Sequence, residues 1–417
     1  MSYRLRKERE VCDGSRATEG CVMPRLPIEN ASPTSLTMNG QTLTAFAGCN
    51  YLGLGAHPRV VRALATAAMR MGISTTASRE TTGNTLVHEA LEAELAHFMG
   101  QEAAILSAEG YTANFMALQA LAFTHRIAII DAQAHRSIRH AAIAAGMQVF
   151  EYEHLNIESA AWLCKQYADQ GVVIMTDSVF AADGAIAPLP QLLDCLPANR
   201  GVLLVDDCHG LCVLGQCGRG SVSHFGLNDA RIVVTTTLAK GMGCYGGAVL
   251  GTHKFIQHVQ DNAWVYRSAT PVPPPMAEAV REAIRILRED TTLVDNLRRN
   301  IGLMRQSLFL LGLQLPPEGV PIFTFAISPE ERMQRVHEML MEQGVFAPLI
   351  SYPGGPAERY FRVVVNAAHT SEQIDTLCRL LAQAMDATRL EGMPRRMPGL
   401  EVKMGEGKGG VRVAVMG

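Results

Sequence analysis

Between about residues 100 and 250, short apolar runs alternate with stretches of helical character, and this alternation constrains the fold more than any other feature. Strands are expected over Ala103–Leu106, Ile127–Asp131, Gln148–Tyr152, Val172–Thr176, Val202–Asp206, Ile232–Thr235 and Ala248–Leu250. Helices are expected over Thr112–Ala122, Ser137–Ala145 and Ile157–Asp169. Apolar strands of this length with helices between them imply a mostly parallel sheet covered on both faces. Ligands of such sheets lie beyond the carboxyl ends of the strands. The residues at those ends are Asp131 to His135, Asp177-Ser178, Asp206 to His209 and Thr237 to Lys240. Carboxylates, histidines and a lysine therefore collect on one rim.

The lysine sits in Ile232–Gly247, read IVVTTTLAKGMGCYGG. The run starts as a β-branched strand and breaks into Gly241, Gly243, Gly246 and Gly247, where no regular element continues. Lys240 stands at the break. A lysine held at a strand end can reach a pocket and do Schiff-base chemistry on a carbonyl cofactor. It can equally be a surface lysine in a glycine turn. Gly241 to Gly246 also matches G-x-G-x-x-G, but Ala248-Val249-Leu250-Gly251 after it reads as a strand. A dinucleotide fingerprint needs a helix there, so a nicotinamide enzyme is the weaker reading. At Gly110-Tyr111-Thr112, backbone N–H groups at a helix start offer an anion or phosphate site, or an ordinary helix start.

The bulk numbers exclude several classes. The net charge is −3 with a pI near 6.5, so there is no basic footprint for nucleic acid. No apolar run is long enough for a membrane span, and Met1 to Lys7 lacks the apolar segment of a signal peptide. Cys208, Cys212 and Cys217 lack metal-ligand spacing, so no metal is expected and the cysteines fit a reducing cytoplasm.

Residues 1–55 read as an irregular N-terminal arm, 56–275 as the large domain, 276–390 as a smaller α/β domain and 391–417 as a flexible tail. A proline-started helix is expected from Pro58 to Met71, and another, opened by Thr85, over Leu86–Met99. The weakly charged loop Gly72–Arg79 between them is expected to line a pocket. Arg267 to Pro275 reads as a stiff linker. Helices Met276–Arg288 and Leu293–Leu311 should follow, then strand Ile322–Ile327, helix Pro329–Gln343, strand Tyr360–Val365 and a helix capped by Thr370 and Gln373.

Six stretches resemble, in this order, the α-oxoamine synthase family of fold-type I pyridoxal-phosphate enzymes. They are Asn50-Tyr51-Leu52-Gly53-Leu54, Gly110-Tyr111-Thr112-Ala113-Asn114, Val205 to Gly210, Gly218-Arg219-Gly220, Thr237-Leu238-Ala239-Lys240 and Ala367-Ala368-His369-Thr370. The resemblance runs from about Asn50 to Leu381 and is closest to members of the 8-amino-7-oxononanoate synthase type. It implies that Lys240 carries the cofactor as a Schiff base and that Asp206 pairs with the pyridine nitrogen. It implies that His209 bonds the phenolic oxygen, that His135 stacks on the ring, and that Gly110, Tyr111 and Thr237 hold the phosphate. Thr270 would reach the phosphate from a neighbouring subunit of a homodimer with shared sites. Arg362 would grip the amino-acid carboxylate, which a guanidinium binds bidentately. Cys49 and Asn50 would face substrate.

The implied reaction condenses a small L-amino acid (glycine, alanine or serine) with an acyl thioester, on CoA or a carrier protein. It releases CO2 and free thiol and leaves an α-amino ketone. Another fold-type I activity, an aminotransferase or aldolase, stays open, as does a non-catalytic partner of an active homologue. The chain departs from the family pattern at Cys49, where Asn or Tyr is usual, and at Ala181-Ala182-Asp183-Gly184, where Ser-Met-Asp-Gly is usual. It departs again at Glu109, where a small residue is usual, and at Ile350 to Gly355.

Overall fold

The expected alternation closes into one seven-stranded sheet in the computed structural model, which describes residues 27–315 and 319–389. In chain order the strands are β1 (Ala103–Ser107), β2 (Ile127–Asp131), β3 (Gln148–Tyr152), β4 (Val172–Asp177), β5 (Gly201–Asp206), β6 (Ile232–Thr237) and β7 (Gly247–Gly251). In space they run β1-β7-β6-β5-β4-β2-β3. Only β7 is antiparallel to its neighbours. The sheet is thus mostly parallel, and the G-x-G-x-x-G run leads into β7 rather than a helix.

Successive side chains on a strand point to opposite faces, and the core divides accordingly. Ile127, Ile129, Ile174, Leu203, Val205 and Val234 are buried in one apolar cluster. Their neighbours Ala128, Ile130, Val173, Met175, Leu204 and Val233 are buried in the other. Burial on both faces explains why these strands read as continuous apolar runs. Register then fixes the rim. Asp177 and Asp206 are direct partners at the ends of β4 and β5.

Helix α1 (Gly110–Leu121) follows β1, and α2 (Arg136–Ala144) follows β2. The expected helix from Ile157 ends at Gln166, and a single tight turn, Ala168–Gln170, follows. Thr85 and His88 form a reciprocal cap on Leu86–Met99, and Arg219 bonds the carbonyls of His97 and Phe98 at its other end. In the preceding loop Gly72, Ile73, Ser74 and Thr76 are exposed within the chain, and Thr75, Ala77 and Ser78 are half-buried. Its inward residue is Arg79, paired with both oxygens of Glu92 at 2.7 and 3.0 Å.

Beyond β7, helices Pro274–Glu289 and Thr292–Leu310 lead to a small antiparallel sheet of Ile322–Phe325, Tyr360–Val364 and Leu349–Ile350. Thr370 and Gln373 cap the last helix, Ser371–Ala387, reciprocally. The expected irregular arm is more ordered than its composition suggests. Ser35–Met38 and Gln41–Ala45 form a hairpin whose second strand pairs with Val345–Phe346. Leu36, Met38, Leu43 and Ala45 are buried on one side of it, a period-two pattern obscured by the intervening threonines. The expected tail, 391–417, lies outside the described residues. No helix among the described residues is long and apolar enough to cross a membrane.

Candidate active site

The turn after β6 holds Lys240. Leu238 N–H donates to Gly246 O at 2.9 Å, Cys244 N–H to Leu238 O at 2.9 Å, and Gly243 N–H to Lys240 O at 2.8 Å. Gly243 has a left-handed φ of +65°, and a Cβ there would lie 2.1 Å from Gly55 N. Only glycine lets the lysine turn pack so closely on the Asn50–Gly55 segment.

Lys240 Nζ lies 2.8 Å from His209 Nε2, and His209 Nδ1 lies 2.6 Å from the Tyr51 hydroxyl. An ammonium only donates, so with Lys240 protonated Nε2 accepts and Nδ1–H donates to Tyr51. Burial pulls the His209 pKa well below the usual imidazole value, and the neighbouring Lys240 charge lowers it further. His209 is therefore a neutral relay. Burial raises the Tyr51 pKa well above 10.0, and Cys49 beside it adds to the rise. Arg362 lies against the same pair, and its Nε donates to Ala181 O at 2.9 Å.

Across the rim, Asn114 on α1 anchors Asp206. Its Nδ2 donates to Asp206 Oδ2 at 2.9 Å and to Ser137 Oγ at 3.0 Å. Its Oδ1 accepts from Thr235 Oγ1 at 2.7 Å, which fixes the amide's orientation. Cys208 N–H donates to the other Asp206 oxygen at 3.1 Å. Burial, then the Asp206 charge, pushes the Asp177 pKa well above the carboxylate range. Two buried carboxylates in register favour a cation between the strand ends, and Lys240 lowers the Asp177 pKa in this sense.

His135 lies at the start of α2. Its N–H donates to both Asp177 oxygens at 3.2 Å, and its Nδ1 pairs with Ser137 Oγ at 2.7 Å. Burial lowers its pKa, although Asp206 opposes the shift. The Tyr111 ring meets the His135 ring edge-on at 6.2 Å. Gly110 abuts Thr237: a Cβ at Gly110 would lie 2.6 Å from Thr237 Cβ. The Thr237 hydroxyl donates to Gly246 O and accepts from Ala239 N–H, both at 3.2 Å.

The structure thus brings Lys240, His209, Asp206, His135, Gly110, Tyr111, Thr237, Cys49 and Arg362 to one rim. Asn50 is turned aside, its Oδ1 accepting from Gly55 N–H at 3.3 Å. Thr270 is exposed, and no hydrogen bond links it to the rim within this chain. Sequence reasoning put Asp177 on the rim without giving it a role, and it did not single out Tyr51, Asn114 or Ser137. Tyr51 and Asn114 lie inside the quoted motifs, so the available signal was their position beside residues already chosen.

Asp207 proves to be a buried anchor. It accepts from Ser221 N–H at 3.0 Å, and burial lifts its pKa to about 6. A Cβ on Gly210 or Gly220 would fall 2.0 or 2.2 Å from its oxygens.

Residues 42–381 match the family model described as aminotransferase class I and II. An 8-amino-7-oxononanoate synthase of Xylella fastidiosa is 35% identical over 89% of this chain and 93% of its own length. One from Thioalkalivibrio sulfidiphilus is 34% identical over 89% and 95%. Among solved structures, a serine palmitoyltransferase variant from S. paucimobilis with bound PLP and myriocin superposes with a TM-score of 0.82. It is 25% identical, with 87% of this chain and 92% of that chain covered.

Proposed function

Given that this chain belongs to the class I and II aminotransferase family, and within it to the α-oxoamine synthases, we propose that it condenses a small L-amino acid with an acyl thioester. The products are an α-amino ketone, CO2 and free thiol. The observation that carries this reading is Lys240, fixed at the end of β6 with Nζ 2.8 Å from His209 and on the same rim as Asp206 and Arg362. Pyridoxal phosphate, when bound, supplies a carbonyl for the lysine amine and an electron-withdrawing ring for the substrate Cα.

The residues present suit that group. Asp206, oriented by Asn114, would pair with a protonated ring nitrogen and keep its charge in place. His209, neutral and backed by Tyr51, would pair with the phenolic oxygen through Nε2, accepting from it as a hydroxyl or, in the other tautomer, donating to it. Gly110 lets the start of α1 pack directly against Thr237, so the Gly110 and Tyr111 N–H groups and the Thr237 hydroxyl would together hold the phosphate. His135 would cover the ring. Arg362 grips the substrate carboxylate, with Cys49 beside it. Lys240 Nζ, as a free amine, would serve as the base for the Cα proton.

In the same reading the chain works as a cytoplasmic homodimer. Thr270, exposed in the single chain, would serve the neighbouring copy's site. The large unit spans 56–275 and the smaller one 276–390.

The test is an assay of thiol and CO2 release with glycine, L-alanine and L-serine, each with a series of acyl thioesters. Release with one amino acid supports the reading and names the substrate. Amino-group transfer without CO2 would replace it with an aminotransferase activity. Binding of cofactor without turnover would favour a non-catalytic partner role.

A further inference from the structure

The start of α1 carries an acidic side chain on its own N-cap. Glu109 stands before the helix in extended backbone, and its carboxylate folds over the helix end. Oε2 accepts from Tyr111 N–H at 2.8 Å and Oε1 from Thr112 N–H at 2.7 Å. Thr112 Oγ1 closes the cap by accepting from Glu109 N–H at 3.2 Å. The free N–H groups of a first helical turn attract anions, and here the chain's own carboxylate has taken two of them. One, Tyr111 N–H, is a group assigned above to the cofactor phosphate.

The surrounding backbone is pinned. Glu109 O accepts from Ser107 Oγ at 2.8 Å, and a Cβ on Gly247 would lie 2.4 Å from that carbonyl. Gly110 is pressed on Thr237. The carboxylate is therefore the part of this helix end that is free to move, by side-chain rotation alone.

We propose that Glu109 sets the affinity of this chain for the cofactor's phosphate by competing for Tyr111 N–H. The inference rests on the reading that α1 receives the phosphate. Binding must displace Oε2, and the displaced carboxylate then stands beside a second anion at one helix end. A chain with a neutral cap at this position avoids both penalties. Without cofactor, Glu109 acts as an internal anion that keeps the first turn of α1 satisfied. Pyridoxal, which lacks the phosphate, does not meet this competition.

The experiment titrates cofactor-free wild type, E109S and E109Q with pyridoxal phosphate and, separately, with pyridoxal, following the absorption band of the bound cofactor. E109S keeps a capping oxygen but vacates the seat; E109Q keeps the shape and removes the charge. The expected result is pyridoxal phosphate binding about tenfold tighter in E109S, the order of one like-charge contact screened by bulk water, with pyridoxal affinity unchanged. E109Q should tighten in the same direction by less, and it carries the test if E109S does not fold. Equal or weaker binding of pyridoxal phosphate by both variants overturns the proposal, as does an equal gain for pyridoxal. If neither wild type nor variants bind pyridoxal phosphate, the seat itself is refuted and the proposal falls with it. That outcome differs from unchanged binding, which refutes Glu109 alone.

Discussion

Replacing His154 by glutamine should remove a pH-dependent part of this protein's stability. His154 bridges two carboxylates, Asp131 Oδ1 at 2.8 Å and Asp183 Oδ2 at 3.1 Å, with its ring edge-on to Phe180. Burial alone lowers the imidazole pKa, but the two carboxylates outweigh it and raise the pKa from 6.5 to about 9. At about 1.4 kcal/mol per pKa unit, the rise is worth about 3 kcal/mol. Solvent reaching Asp183 trims this toward about 2 kcal/mol. Because the folded-state pKa is raised, the stabilisation is fully present below pH 6.5 and is lost as pH rises through about 9. By the scaling of unfolding entropy with chain length, that is a Tm difference of roughly 2–3 °C. Thermal melts of wild type and H154Q from pH 6 to pH 10 read it directly. The two curves should be furthest apart near pH 6 and converge toward pH 10. A gap that stays constant across that range would refute the electrostatic account and leave only a packing role.

Three further outcomes are expected. Gly110→Ala puts a methyl 2.6 Å from Thr237 Cβ. It should cost about 1–3 kcal/mol in stability and abolish cofactor retention after gel filtration. Arg362→Lys keeps the charge but loses the planar fork, so KM for the amino acid should rise roughly 10- to 100-fold with kcat changed far less; a fall confined to kcat would contradict the carboxylate role. Tyr51→Phe removes the 2.6 Å partner of His209 Nδ1. It should shift the absorption of the bound cofactor and lower kcat about tenfold, and an unchanged spectrum would dissociate Tyr51 from the relay.

Strand alternation and the rule about carboxyl ends place Asp131, Asp177, Asp206 and Lys240 on one rim from the sequence alone, because parallel topology ties strand ends to one side of the sheet. What was not legible were contacts made across long sequence separations. Tyr51 meets His209 from the N-terminal segment, and Asn114 meets Asp206 from α1. No local periodicity encodes either pairing. The N-terminal hairpin was hidden by the threonines within its period-two pattern, and its pairing with Val345–Phe346 spans three hundred residues. Asn50 was chosen by motif position, but local chemistry turns its amide back to Gly55 N–H. Glu109 read as an oddity in sequence, and only the geometry of α1 shows that it caps the helix whose N–H groups an anion would seek.

The central claim is that Lys240 is the residue bonded to the cofactor. Purified protein is loaded with pyridoxal phosphate, reduced with borohydride, digested and mapped by mass spectrometry, alongside K240A. The account predicts a near-visible band in wild type, absent in K240A, and the reduced cofactor on the peptide containing Lys240. Cofactor fixed to a different lysine, or a band of equal strength in K240A, would contradict it.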